Sequence, residues 1–218
     1  MSAVFINNSE KMDFDRLKII GDIQYSLDKK AVYSLLGYKK DRTKLPQIMF
    51  DRVEKSFRDA ENLIEAKGAY IIRRIKKKGD SITLLDSTTS LESHSVKNLL
   101  KYSYAVVFMA VTIGSGLEKL AGRYTKEKQF ENALVLDTIG SEAAEASANA
   151  LNSYLLTLAR QAKKTLTQRF SPGYGDLPLS FQKDMFRELS LDGLNIVLDK
   201  KFILSPRKTV TAILGVEE

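Results

Sequence analysis

The chain has 218 residues, with 34 Lys and Arg against 27 Asp and Glu, a net charge of +7 and an isoelectric point near 9.4. A chain of this size buries about 70% of its unfolded surface, enough for one substantial core, and 44% hydrophobic with 28% charged residues is a globular rather than a disordered composition. The absence of cysteine excludes disulfides, thiolate metal sites, iron–sulfur clusters and a cysteine nucleophile, and the single histidine, His94, leaves no His-rich metal site and no His-based triad.

The positive balance suits an acidic partner, and equally a merely solvated basic surface. No apolar run reaches the roughly 18 residues of a membrane span. Residues 1–8 lack a basic region followed by an apolar one, so no secretory signal is expected, and a cytoplasmic location is the simplest expectation.

In chain order, a short strand is predicted around 16–20. Ser26 is placed to cap a helix over 27–36 that Gly37 stops. Leu45, Met49, Val53, Phe57, Ala60 and Ile64 recur at helical spacing, which predicts a second helix ending near Lys67-Gly68. Apolar, β-branched runs at 69–75 and 82–85 flank Lys78-Gly79-Asp80-Ser81 and read as a hairpin. Ser93 or Ser95 opens a short helix to Tyr102, and 104–113 is a continuous apolar run that reads as a buried strand. Gly114-Ser115-Gly116 leads into a helix to about Tyr124, and a long helical stretch follows from Phe130 to about Gln168, with a break expected at Gly140-Ser141. Residues 169–178 form a turn-rich loop, Ser180 caps a helix to Leu189, and strands are expected at 195–198 and 209–216. The elements describe an α+β protein in one domain over residues 1–218.

Three constellations have chemical content. The strand–Gly-Ser-Gly–helix unit at 104–124, with Asp137 about 20 residues on, has part of a nucleotide-binding βαβ pattern. It lacks the third glycine and further βαβ alternation, which favours a plain tight turn. The helix at 141–160 is small-sided, and Ser141, Glu145, Ala148 and Asn152 share a stripe offset from the apolar one. There Glu145 is a carboxylate among alanines, suited to a ligand cation or to ordinary solvation. The loop Arg169-Phe170-Ser171-Pro172-Gly173-Tyr174 offers a cation for a carboxylate, a Pro-Gly turn with exposed amides, and an aromatic face for a purine or a sulfonium. An ordinary surface arginine in a helix connection is the open alternative. His94 reads as a capping-region residue, and the basic run Arg73, Arg74, Lys76, Lys77, Lys78 as a docking patch or a solvated face.

Several of these segments, in order, resemble the activation (AdoMet-binding) domain of cobalamin-dependent methionine synthase, in its short stand-alone form. Arg169-Phe170-Ser171-Pro172-Gly173-Tyr174 is similar to that family's Arg-x-x-Pro-Gly-Tyr loop, its most specific motif. Ala110-Val111-Thr112-Ile113-Gly114 with Leu117-Glu118, Ala143-Ala144-Glu145-Ala146 and Pro206-Arg207-Lys208-Thr209-Val210-Thr211 match further segments, so that the resemblance spans about residues 30–216.

The resemblance implies a single C-shaped α+β domain with a twisted, mainly antiparallel sheet flanked by long helices. It implies an S-adenosylmethionine (AdoMet)-binding component that supports reductive methylation of cob(II)alamin to methylcobalamin. The cobalamin would be carried by a partner, a corrinoid-binding methionine synthase lacking its own activation domain, and the electron would come from a flavodoxin-like donor. By motif position Arg169 would hold the AdoMet carboxylate, Glu145 its amino group, and Phe170, Pro172, Gly173 and Tyr174 would line the ligand. The family also carries an early acidic ligand residue, for which Asp22 and Asp28 are the candidates. No catalytic acid or base, metal, membrane or nucleic-acid partner is expected. The alternative is an AdoMet-binding or adaptor module without methyl transfer.

Overall fold

The computed structural model describes residues 11–38, 42–44, 46–79 and 81–218. Residues 1–8, read above for a targeting signal, and Leu45 and Asp80, read into a helix and a turn, lie outside the described residues.

The elements are β1 (Lys18–Ile20), α1 (Lys29–Leu35), α2 (Gln47–Glu61), β2 (Lys67–Lys78), β3 (Ser81–Leu84), β4 (Ser90–Leu91), α3 (His94–Leu99), β5 (Ala105–Thr112), α4 (Gly116–Lys126), α5 (Phe130–Gln161), β6 (Thr165–Leu166), α6 (Gln182–Glu188), β7 (Val197–Leu198), β8 (Leu204–Ser205) and β9 (Thr209–Glu217). Single 3-10 turns lie at Leu179–Phe181 and Leu191–Leu194. The architecture is α+β, as the element pattern predicts. The main sheet is open, in the order β4-β3-β2-β5-β9-β6, with β1 also on β2, and its strand pairs are antiparallel.

The central strand explains its own sequence. All eight residues of β5 are buried, because both faces of the sheet are covered, and so the strand reads as an unbroken apolar run. On one face α5 lays Leu151, Tyr154, Leu155 and Leu158 over Tyr70, Val107, Met109 and Leu214. On the other, Phe181 and Met185 with Leu189, Leu191 and Leu194 cover Ile71, Val106, Phe108 and Ile213. A third cluster joins Val53 and Phe57 of α2 and Leu117 of α4 to Leu136 and Ile139 of α5.

This topology bears out the plain tight turn over the nucleotide-binding alternative. Leu134, Val135 and Leu136 lie in α5 rather than in a strand, and the Asp137 carboxylate is held by Lys208 at 2.8 Å. Gly114, at φ +76°, and Gly116, whose Cα sits against the Leu63 carbonyl, make the tight turn into α4.

Four local expectations also change. Helix α5 runs unbroken through Gly140-Ser141, where a Cβ would meet the Lys208 stem at 3.3 Å; glycine lets that lysine cross the helix. The helix ends at Gln161 rather than Gln168, where Lys163 turns left-handed at φ +57°. Asp28, not Ser26, caps α1, accepting from the Lys30 N–H at 2.8 Å. Ser180 lies inside a 3-10 turn and caps nothing, whereas Ser93 caps α3 as expected.

Candidate functional site

Glu145, Asn149 and Asn152 follow one another at i, i+4 and i+7 on α5, which stacks them on one face. After α5 the chain reverses and runs back along the edge of β9. Leu166 pairs with Val216, the Thr167 N–H donates to the Gly215 carbonyl, and Phe170 exchanges both backbone hydrogen bonds with Ile213 at 2.9 and 2.8 Å. Extended backbone alternates its side chains. Phe170 packs into the cluster beneath α6, so its neighbour Arg169 falls on the opposite face, where α5 lies.

There Arg169 Nη2 donates to Glu145 Oε1 at 2.5 Å and to Asn149 Oδ1 at 2.8 Å. The guanidinium is largely covered, with 21% of the side chain exposed, while Glu145 is half exposed. Among the described residues, three buried side-chain polar atoms have no hydrogen-bond partner: Ser103 Oγ, Asn152 Oδ1 and Arg169 Nη1. Two of the three belong to this constellation, one a cationic donor and the other an acceptor. Buried polar groups are ordinarily satisfied, and leaving one open costs about 1–3 kcal/mol. A ligand presenting an anion and a donor in one small group satisfies both.

The surroundings are acidic. One turn before Glu145, the Glu142 carboxyl is pushed above its usual range by burial and then by the charges of Asp28 and Glu145. Of the two early acidic candidates, Asp28 thus comes to the α5 acidic row, although its carboxylate also caps α1. Asp22 instead accepts from Gln24 and lines a hollow with Tyr25 and Glu61.

The 169–174 loop is rigid by its own bonds. Pro172 is buried. Gly173, at φ +90°, donates its N–H to the Leu177 carbonyl, and the Tyr174 N–H donates to the Ser171 carbonyl. The amides of Phe170, Gly173 and Tyr174 are therefore engaged within the fold, which corrects the expectation of exposed donors there. Tyr174 as a whole is 69% exposed.

A residue missed in the sequence anchors the loop. The Asp176 carboxylate accepts from Ser93 Oγ at 2.7 Å and from the N–H groups of His94 and Ser95 at 2.5 and 3.0 Å, at the start of α3. Hydrogen bonds from the Ser93 and Ser95 hydroxyls, with those amides, hold its carboxyl far below the usual range. His94 contributes its backbone to this clamp. Asn149 was also missed; its i+4 spacing from Glu145 is the signal that marks it.

A second polar hollow, of about 630 Å³, lies between Arg73, Ser87, Arg187 and Glu188. Its buried carboxylate, Glu188, is already engaged by Ser87 Oγ at 2.5 Å, Thr89 Oγ1 at 2.8 Å and Arg73 Nε at 3.1 Å. Burial raises the Glu188 carboxyl, but the two hydroxyls and the Arg73 charge outweigh it and leave it lowered. Those bonds tie α6 to the β3–β4 turn and to β2. Two of the three open buried valences, on Arg169 and Asn152, lie together, which makes that cluster the candidate site.

No family model matches the sequence, and no curated protein matches it. In fold, the chain matches a crystal structure of the MetH reactivation domain bound to AdoHcy, with a TM-score of 0.67 and 14% sequence identity over 98% of this chain and 83% of that one. The antiparallel α+β fold that the motif resemblance implies is the fold observed.

Proposed function

We propose that the protein is an AdoMet-binding reactivation component for a corrinoid-dependent methionine synthase. The observation that carries this reading is the pair of open buried valences, Arg169 Nη1 and Asn152 Oδ1, flanking Glu145 in a chain with the reactivation-domain fold. The amino-acid end of AdoMet is a zwitterion. Arg169 takes its carboxylate through the free Nη1, and Glu145 and Asn152 take its ammonium group. The Arg169–Glu145 ion pair then serves as a placeholder that opens as each side chain accepts its ligand counterpart. Tyr174 supplies an exposed ring for the purine or the sulfonium, while Phe170, Pro172 and Gly173 fix the loop that presents it.

AdoMet, when bound, supplies an electrophilic methyl for a reduced corrinoid that the partner carries, with the electron coming from a flavodoxin-like donor. The chain's own residues have a positioning task. They hold the ligand's charged end so that its methyl faces outward, and no side chain needs to move a proton. Calorimetric titration with AdoMet tests the binding, and methylation of cob(II)alamin on a methionine synthase lacking its activation domain tests the role. Binding without methylation would reduce the protein to an AdoMet-binding adaptor. No binding would overturn the proposal.

A further inference from the structure

One guanidinium serves two kinds of acceptor at the candidate site. Arg169 Nη2 is shared between a charged acceptor, Glu145 Oε1 at 2.5 Å, and a neutral one, Asn149 Oδ1 at 2.8 Å, while Nη1 is buried and open. Nη1 and Nη2 are bonded to the same carbon, so a carboxylate arriving at Nη1 lies beside the Glu145 carboxylate on a single cation. The two negative charges then repel each other in a largely covered setting, where the Arg169 side chain is 21% exposed.

Glu145 has no second cation to turn to. Arg169 is its one ion-pair partner among the described residues. One turn earlier stands Glu142, whose carboxyl is pushed above its usual range by burial and then by the charges of Asp28 and Glu145. Away from Arg169, the Glu145 carboxylate is left in an acidic row without a counter-ion. A ligand that brings an ammonium group beside its carboxylate resolves this. The carboxylate takes Arg169, the ammonium takes Glu145, and every charge keeps a counterpart. A ligand with the carboxylate alone leaves Glu145 either unpaired or in competition with it. Asn149 is neutral, adds no repulsion, and holds Nη2 while Glu145 changes partner.

We propose that Glu145 is the specificity-determining residue of the site, and that it rejects simple carboxylates in favour of α-amino acid ends by competing with them for Arg169. The proposal rests on the AdoMet-binding reading above and gives the resting ion pair a task of its own. Attraction to the ammonium group helps the right ligand, and competition for the guanidinium hinders the wrong one, so the same carboxylate supplies both halves of the discrimination. Asn149 is a positioning residue, acting through Arg169 on either ligand alike.

Two ligands separate these effects: AdoHcy, and the analogue of AdoHcy in which hydrogen replaces the amino group. Both have a neutral sulfur, so at the site they differ in the ammonium group alone. In calorimetric titrations near neutral pH, the wild type should bind AdoHcy about tenfold or more tighter than the analogue. Glu145→Gln keeps a side-chain oxygen for Nη2 and removes the charge. It should weaken AdoHcy about tenfold and tighten the analogue about threefold or more, so that the preference disappears or reverses. Damage to the fold would weaken both ligands, and a gain in affinity cannot arise that way. Asn149→Ala should weaken both ligands by one common factor of about three to ten and leave their ratio at the wild-type value. If Glu145→Gln weakens the analogue or leaves it unchanged, undetected binding to both proteins included, the proposal is overturned while the AdoMet reading stands. A ratio that Asn149→Ala changes as much as Glu145→Gln does would overturn it equally. No binding of AdoHcy to the wild type would overturn both.

Discussion

Replacing Arg169 with alanine should remove most of the affinity for AdoMet while leaving the fold nearly intact. The guanidinium has one nitrogen bonded to Glu145 and Asn149 and one buried nitrogen with no partner. Within the protein, the lost contact is an ion pair to a half-exposed carboxylate, worth less than about 1 kcal/mol after solvent screening. Against the ligand, the lost contact is a charge-assisted bond to a carboxylate in a largely covered setting, worth about 1.5–3 kcal/mol, or roughly 10- to 150-fold in Kd. Arg160→Ala is the control, since that arginine is exposed in the last turn of α5, the helix that carries Glu145 and Asn149. Calorimetric titration of both variants, beside their thermal melts, reads the two effects separately. Equal AdoMet affinities for the two variants would refute the site assignment.

Glu188→Gln should destabilise the protein by about 1–3 kcal/mol in urea unfolding, because it removes the charged acceptor of the Ser87 and Thr89 hydroxyls and leaves the mostly buried Arg73 cation with Asp15 alone. The Glu188 carboxyl is lowered in the fold, so its contribution is present above the unfolded carboxylate pKa and is lost as pH falls through the folded value. The gap between wild type and variant should therefore narrow on acidification, and a gap that stays constant would contradict the assignment. Asp176→Ala should lower the melting temperature and speed amide exchange at Ser95 and Val96, since it removes the clamp on the start of α3; unchanged exchange would show that the clamp is idle. On β2, Arg73 and Arg74 are engaged with Asp15 and Glu188, and Lys77 with the Lys101 carbonyl. Reversing Lys76, Lys77 and Lys78 should slow association with an acidic electron donor and flatten its salt dependence, as expected for charges screened beyond about 8 Å, with AdoMet affinity unchanged. Association indifferent to salt and to these reversals would make the basic run a solvated face.

The elements with strong periodicity were legible in the sequence. The apolar run of β5 and the i, i+3, i+4 pattern of α2 correspond to observed elements, as does the β2–β3 pairing. Features set by distant partners were not. Gly140-Ser141 reads locally as a helix break, yet the glycine is there for Lys208, which crosses α5 to reach Asp137 and Ser141. The strands β4 and β8 are two residues each, too short to show alternation. At the site, Arg169 and Glu145 were visible as residue types in a motif and on a small-sided helix, and the structure joins them. Asp176 was not visible, because its importance rests on the start of α3, some 80 residues earlier in the chain, which no local pattern connects to it.

The most direct test is a crystal structure of the protein grown with AdoHcy. The account predicts the ligand's carboxylate within hydrogen-bonding distance of Arg169 Nη1, its ammonium group on Glu145 and Asn152, and Tyr174 against the adenine or the sulfur. An unbroken Arg169–Glu145 pair, with the ligand absent at saturating concentration or bound elsewhere, would contradict it.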